Sequence, residues 1–206
     1  MIIAIDGPAA SGKGTLARGL ADRFGLPHLD TGKLYRAVAL ALSDRGFPAD
    51  DAAAALRAAE ALDVSALPED ALLRRADLGE GASVVSAHPA VRSALLAAQR
   101  AFAARPGGAV LDGRDIGTVV CPGADLKVFV VADPEVRARR RHADLARGEP
   151  GLSFEAVLEE ILRRDARDSS RADAPLACAP DAVVVDTTAL SPADAVEAAL
   201  SAFRRP

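Results

Sequence analysis

One short segment constrains this chain more than any other: the loop Gly7-Pro8-Ala9-Ala10-Ser11-Gly12-Lys13-Gly14-Thr15. An apolar run, residues 2–5, precedes it, and helical sequence follows to about Phe24. The spacing fits G-x-x-x-x-G-K, with the hydroxyl residue Thr15 one place later than in the general phosphate-loop pattern. Glycines let the backbone curl until successive N–H groups converge on an anion. The helix N-terminus adds partial positive charge, and Lys13 supplies a cation for β and γ phosphates. A plain glycine-rich turn would not need strand, spacing, lysine and threonine together. The loop therefore predicts a nucleoside triphosphate site. It does not say what is done with the triphosphate, because switches, motors and small-molecule kinases share it.

The rest of the chain supplies a frame for that loop. Residues 2–5, 109–111, 126–131 and 182–185 are continuous apolar runs bounded by turn residues, and residues 27–29 add a shorter fifth. Runs that are β-branched and unbroken, separated by helical stretches, predict an α/β fold with a five-stranded parallel sheet covered by helices on both faces. Asp133-Pro134 and Ser191-Pro192-Ala193-Asp194 read as helix starts. The Ala-rich stretch from about Phe47 to Arg105 carries no strand of the buried kind and interrupts the alternation, which predicts an inserted subdomain. No internal repeat or low-complexity linker divides the 206 residues, a length suited to one domain.

Composition excludes some functions. The net charge of −4 argues against a strongly basic binder of nucleic-acid polymers, though a local basic site can sit under an acidic average. No apolar run approaches a membrane span of about 18 residues, and the N-terminus lacks a signal-peptide pattern. Two cysteines, Cys121 and Cys178, are too few for a disulfide framework or a four-cysteine zinc site. A reducing cytoplasm is the expectation. Of 25 basic residues only Lys13, Lys33 and Lys127 are lysines. Coding bias accounts for such an average, whereas bidentate recognition of phosphate would also favour arginine.

Three further clusters carry candidate chemistry. In Asp30-Thr31-Gly32-Lys33-Leu34-Tyr35-Arg36, Asp30 or Thr31 reads as a helix cap, or Arg36 as a ligand for an anion; the residues alone leave both open. In Leu111-Asp112-Gly113-Arg114-Asp115, Asp112 ends a strand where phosphate-loop proteins hold a Mg²⁺ shell, directly or through water, and Arg114 and Asp115 follow at the carboxyl edge of the sheet. The competing reading is a turn with a local Arg114–Asp115 pair. Arg164, Asp168 and Arg171 are spaced to share one helix face, which suits either a solvated salt-bridged surface or cations for phosphoryl transfer.

Together these segments resemble the bacterial cytidylate kinases, nucleoside monophosphate kinases that convert CMP and dCMP to diphosphates. The resemblance rests on I-D-G-P-A-A-S-G-K-G-T (5–15), D-T-G-x-L-Y-R (30–36), P-x-V-R (89–92), D-G-R-D-I-G-T-V-V (112–120) and R-D-x-R-D-S-S-R-x-x-A-P-L (164–176), in family order. It implies one kinase domain over 1–206, with an acceptor-binding insert at about 37–105 and a lid at about 137–153. It implies that Gly7, Pro8, Ala9, Ala10, Ser11, Gly12, Lys13, Gly14 and Thr15, with Arg139 and Arg140 from the lid, hold ATP. Arg36, Arg114 and Arg171 would clamp the acceptor phosphate beside Thr31 and Tyr35, and Ser83, Arg92 and Asp115 would face the base. Arg164 and Asp168 would contact the pentose, and Lys13, Arg114, Arg164 and Arg171 would be the catalytic cations. Mg²⁺ would come with ATP, reached by Thr15 and Asp112 through water. The insert is shorter than the family pattern and lacks its strand pairs, and Ser86 stands three residues from Ser83 as the alternative base-side serine.

The expected function is transfer of the γ-phosphoryl group of ATP to CMP or dCMP, by a monomer without nucleic-acid or membrane partners. A kinase of UMP, AMP or shikimate is the alternative. A phosphate-loop ATPase or GTPase switch is less favoured, since no N-K-x-D motif and no basic stripe with interleaved aromatics is present.

Overall fold

The computed structural model describes residues 1–64, 66–73, 76–146 and 151–203. Five parallel strands, β1 (Ile2–Asp6), β2 (His28–Asp30), β3 (Ala109–Gly113), β4 (Leu126–Val131) and β5 (Val183–Asp186), lie in the order β2-β3-β1-β4-β5. In the centre Ile5 sits opposite Asp112 of β3 and Val128 of β4. Ile3, Ala4, Ile5, Val110 and Leu111 are solvent-inaccessible, as continuous apolar runs require when both faces are covered. β5 departs from that expectation. It is an edge strand, and Val184 is 58% exposed while Val185 is buried.

Helices α1 (Lys13–Phe24) and α9 (Pro192–Phe203) cover one face, packing Leu16, Leu20, Ala199 and Leu200 on Ile3, Ile5, Val128 and Val130. The other face carries Ala4, Leu29, Ala109 and Leu111 under α6 (Pro89–Ala103) and a π-turn at Ile116–Val120. Cys121 is packed there. The interrupting stretch is helical among the described residues. α2 (Gly32–Ser43), α3 (Ala52–Glu60), α4 (Asp70–Leu73), α5 (Ala76–Val85) and α6 follow one another, and Leu34, Val38, Leu42, Leu78, Val85, Val91 and Leu95 form a core of their own. Residue 37 falls inside α2, which turns Tyr35 and Arg36 toward a central cavity while Val38 and Leu42 enter that second core.

α7 (Pro134–Leu145) and α8 (Phe154–Ser170) form a hairpin around Ala138, Leu145, Val157 and Ile161. Asp133 caps α7 by accepting from Glu135 and Val136 N–H, and Ser191 Oγ accepts from Asp194 N–H and donates to its carboxylate. Of the expected lid, Arg147 and residues 148–150 lie outside the described residues. Arg137 is 3% exposed and donates to Ala132 O, Ala9 O and Asp165, so it fastens α7 to α8 and to the phosphate loop. Among the described residues no helix is long and apolar enough to cross a membrane.

Candidate active site

The loop after β1 makes its turn where backbone crowding leaves no alternative. A Cβ on Gly7 would lie 2.3 Å from Val130 O. Gly12 has φ of +89°, a left-handed conformation that glycine adopts without strain, and it caps α1. Thr15 and Leu16 N–H already donate to Gly12 O. Lys13 curls back so that Nζ donates to Pro8 O at 3.2 Å. Thr187, from the turn after β5, braces the loop by donating to Ser11 O at 2.7 Å and accepting from Arg140 Nη1 at 3.1 Å.

The loop opens into a cavity of about 670 Å³ at the carboxyl edge of the sheet, beside the switch in strand order. Nine basic side chains line it against five carboxylates, a local excess of positive charge in a chain whose net charge is −4. Arg36 is paired with Asp30 at 2.7 Å and Arg114 with Asp168 at 2.7 Å, and Arg92 donates to Asp115. Arg114 and Asp115 thus pair with distant partners and not with each other. Arg36, Arg164 and Arg171 each keep a buried Nε–H with no hydrogen-bond partner among the described residues, as does the Ser11 hydroxyl. Unmet donors of one sign in a cavity call for an anion.

The electrostatics say the same. Burial, followed by the charge of Arg114, drives Lys13 from 10.5 down to about 7 against the pull of Asp112 and Asp30. Burial and Arg114 likewise bring Arg164 down to about 10. Burial opposes charge on Asp168, but Arg114, through its charge and its hydrogen bond, outweighs this and holds the carboxyl below its usual range. Burial and Arg114 thus lower Lys13 and Arg164, whereas at Arg114 itself burial is outweighed by Asp168, which raises it.

Thr31 is not the side-chain cap of α2. Its hydroxyl donates to Asp112 O at 2.8 Å, tying the end of β2 to β3. Asp112 Oδ1 accepts from His28 Nε2 at 2.7 Å, while Oδ2 faces Gly14, where a Cβ would sit 3.8 Å away. Thr31, Tyr35, Arg36, Ser83, Arg92, Arg114, Asp115, Arg164, Asp168 and Arg171 all line the one cavity, together with Ala9, Ala10 and Gly12 to Thr15. Ser86 lines it too. Arg140 faces the cavity, whereas Arg139 is 64% exposed outside it and pairs with Glu135.

A family model described as cytidylate kinase matches residues 3–205. The chain belongs to the cytidylate kinase family. It is 61% identical over 202 residues to the cytidylate kinase of Xanthobacter autotrophicus, covering 98% of this chain and 96% of that protein. It is 66% identical over 183 residues to the cytidylate kinase of a Methylobacterium species, covering 88% and 86%. Among solved structures, a gluconokinase from Sinorhizobium meliloti is similar in fold, with TM-score 0.52, 18% identity and coverage of 98% and 90%.

Two residues of this cytidylate kinase family member escaped the reading of its motifs. Thr187 lies in no recognisable motif, and Asp6 stands inside the segment 5–15 without a role assigned to it. Asp6 is buried and accepts from Ile116 and Gly117 N–H, both at 2.7 Å, so the strand that launches the phosphate loop also anchors the π-turn that follows Arg114 and Asp115. Burial comes first in pushing its carboxyl up to about 6, against those two backbone hydrogen bonds.

Proposed function

We propose that the chain transfers the γ-phosphoryl group of ATP to the 5′-phosphate of CMP or dCMP, giving CDP or dCDP. The observation that carries this reading is the single cavity in which a phosphate loop and a group of under-satisfied arginines face each other across the space of two nucleotides. A switch or motor needs the first but binds no second phosphorylated substrate across from it.

The chemistry asks little of a base. An oxygen of the acceptor phosphate attacks the γ-phosphorus, a new P–O bond forms, and the bond from the γ-phosphorus to the bridging oxygen breaks as ADP leaves. Both reactants are polyanions, so the protein's task is to hold them in line and offset their repulsion. Lys13 and the loop N–H groups take the ATP phosphates, with Arg140 beside them. Arg36, Arg114 and Arg171 take the acceptor phosphate, Arg164 and Asp168 the pentose, and Arg92, Asp115 and Ser83 or Ser86 the base. Each well-placed donor that strengthens in the transition state contributes about 3–4 kcal/mol. The segment at about 137–153 serves as the lid, with its fixed end at Arg137.

Residues suited to Mg²⁺ are present. Asp112 Oδ2 and the Thr15 hydroxyl flank the loop, and no cluster of three or more metal-ligating side chains occurs among the described residues. That donor set suits an ion whose remaining ligands are phosphate oxygens and water. When bound, Mg²⁺ supplies neutralisation of phosphate charge. We propose that the enzyme works as a monomer in the cytoplasm, where both nucleotides are available.

ADP formation with ATP·Mg²⁺ and each of CMP, dCMP, UMP, AMP and shikimate tests the reading. CMP and dCMP are expected to turn over best. AMP outperforming CMP by tenfold, or no turnover of CMP, would refute it.

A further inference from the structure

Within the segment 164–171, Arg164, Asp168 and Arg171 line the cavity, and Arg167 between them does not. Its guanidinium leaves α8 for α5. Nη1 donates to Ser83 Oγ at 2.7 Å, and Nη2 donates to Glu80 Oε1 at 2.6 Å. That hydrogen bond is the foremost cause holding the Glu80 carboxyl below its usual range. Ser83 itself is 3% exposed and lines the cavity.

Hydrogen-bond accounting separates the two serines that face the acceptor side. A hydroxyl has one proton to give and lone pairs to receive with. Ser86 spends its proton on Ser83 O at 2.9 Å, and its oxygen receives Arg171 Nη1 at 3.4 Å. Ser83 receives Arg167, and no acceptor among the described residues takes its proton. A cation donating to the oxygen also polarises the O–H and strengthens it as a donor. Of the pair, Ser83 is the one equipped to donate to a bound molecule.

We infer that Arg167 is a positioning residue for acceptor specificity: by gripping Glu80 and Ser83 of α5 from α8, it fixes the Ser83 hydroxyl as a donor aimed at an acceptor atom of the incoming nucleoside. The same grip holds Ser83 in register with Asp168, the next residue of α8, so that two contacts from separate helices meet the acceptor together. The inference rests on the CMP and dCMP reading given above, and it assigns the base-side contact to Ser83 in preference to Ser86.

The test is steady-state kinetics with each substrate varied, alongside thermal stability, for Arg167→Met, Arg167→Lys, Ser83→Ala and the Ser83→Ala/Arg167→Met double variant. Arg167→Met should raise the KM for CMP about tenfold, the loss typical of a charge-assisted hydrogen bond, with kcat and the KM for ATP changed by less than about twofold. Arg167→Lys, which keeps the charge but not the fork, should recover part of that loss. The double variant should bind CMP no worse than Ser83→Ala alone, since Arg167 acts through Ser83. Should Arg167→Met fail to fold, Glu80→Gln is expected to raise the KM for CMP by a smaller factor in the same direction. An unchanged KM for CMP, effects that multiply in the double variant, or a joint rise in both KM values with a lowered Tm would overturn the inference. Absence of CMP turnover in the unaltered enzyme would instead overturn the functional reading, and this inference with it.

Discussion

Lys13 sits where its charge is least comfortable until a ligand arrives. Its Nζ rests on Pro8 O, and burial beside Arg114 leaves its pKa at about 7. Phosphate oxygens favour the ammonium form and must raise that value on binding. ATP binding above pH 7 therefore draws a proton from solution, and affinity falls as pH rises. Calorimetry at pH 8.5 in buffers of different ionisation heat should report uptake approaching about one proton per ATP. Lys13→Met should show none and lose at least roughly 10²-fold in kcat. Equal uptake by both proteins would place the titrating group elsewhere. The side chains that a sequence discloses are those, like Lys13, whose neighbours along the chain make the site: Arg36, Arg114, Arg164 and Arg171 stand in local motifs, and each reaches the cavity. Thr187 and Asp6 were illegible because their partners, Ser11 O and the Ile116 N–H, lie 176 and 110 residues away. Nothing local to a threonine in a turn, or to an aspartate ending a strand, marks such a contact.

At the level of elements, the buried strands were readable because two covered faces impose apolar sequence, and β1, β3 and β4 obey it apart from Asp6 and Asp112 at the carboxyl edge and Lys127, which reaches Asp181. β5 was placed correctly for a weaker reason, its β-branched run, since one of its faces is open. The π-turn left no signal. Its backbone is held by Cys121 N–H to Ile116 O at 2.7 Å and by Asp6, and no side-chain periodicity records either. Packing between elements was also hidden, as at Gly19. A Cβ there would lie 2.6 Å from Val196 Cγ2, where α1 meets α9. Valine in a helix has one strongly preferred rotamer and cannot easily turn aside. Gly19→Ala should cost about 1–3 kcal/mol in urea unfolding despite alanine's better helix propensity, with the KM for both nucleotides unchanged. A stabilised variant would mean that α9 yields without cost.

The whole molecule separates its charges. An acidic average of −4 surrounds a cavity lined by nine basic side chains and five carboxylates, so the empty enzyme stores repulsion that its ligands relieve. Arg164 bears much of it. Its contact with Glu160 is a loose 4.0 Å, its Nε–H has no partner among the described residues, and burial with Arg114 lowers its pKa to about 10. A buried cation with so little compensation costs stability in the free protein and contributes binding in the complex. Arg164→Met keeps the apolar stem and removes the charge, so the free variant should melt at a higher temperature than the unaltered enzyme. CMP at a hundred times its Kd should raise the Tm of the unaltered enzyme by about 5–10 °C, and that shift should largely vanish in the variant. Differential scanning fluorimetry with and without CMP reads both effects. A free variant more than about 2 °C less stable, or one that keeps the full CMP shift, would show that Arg164 is held by partners enough to be structural. The trade is confined to Arg164 for a physical reason: Arg36 and Arg114 are each offset by a carboxylate at 2.7 Å and still keep further N–H groups for a phosphate, whereas Arg164, whose contact with Glu160 is 4.0 Å, is a cation that the empty fold would be more stable without.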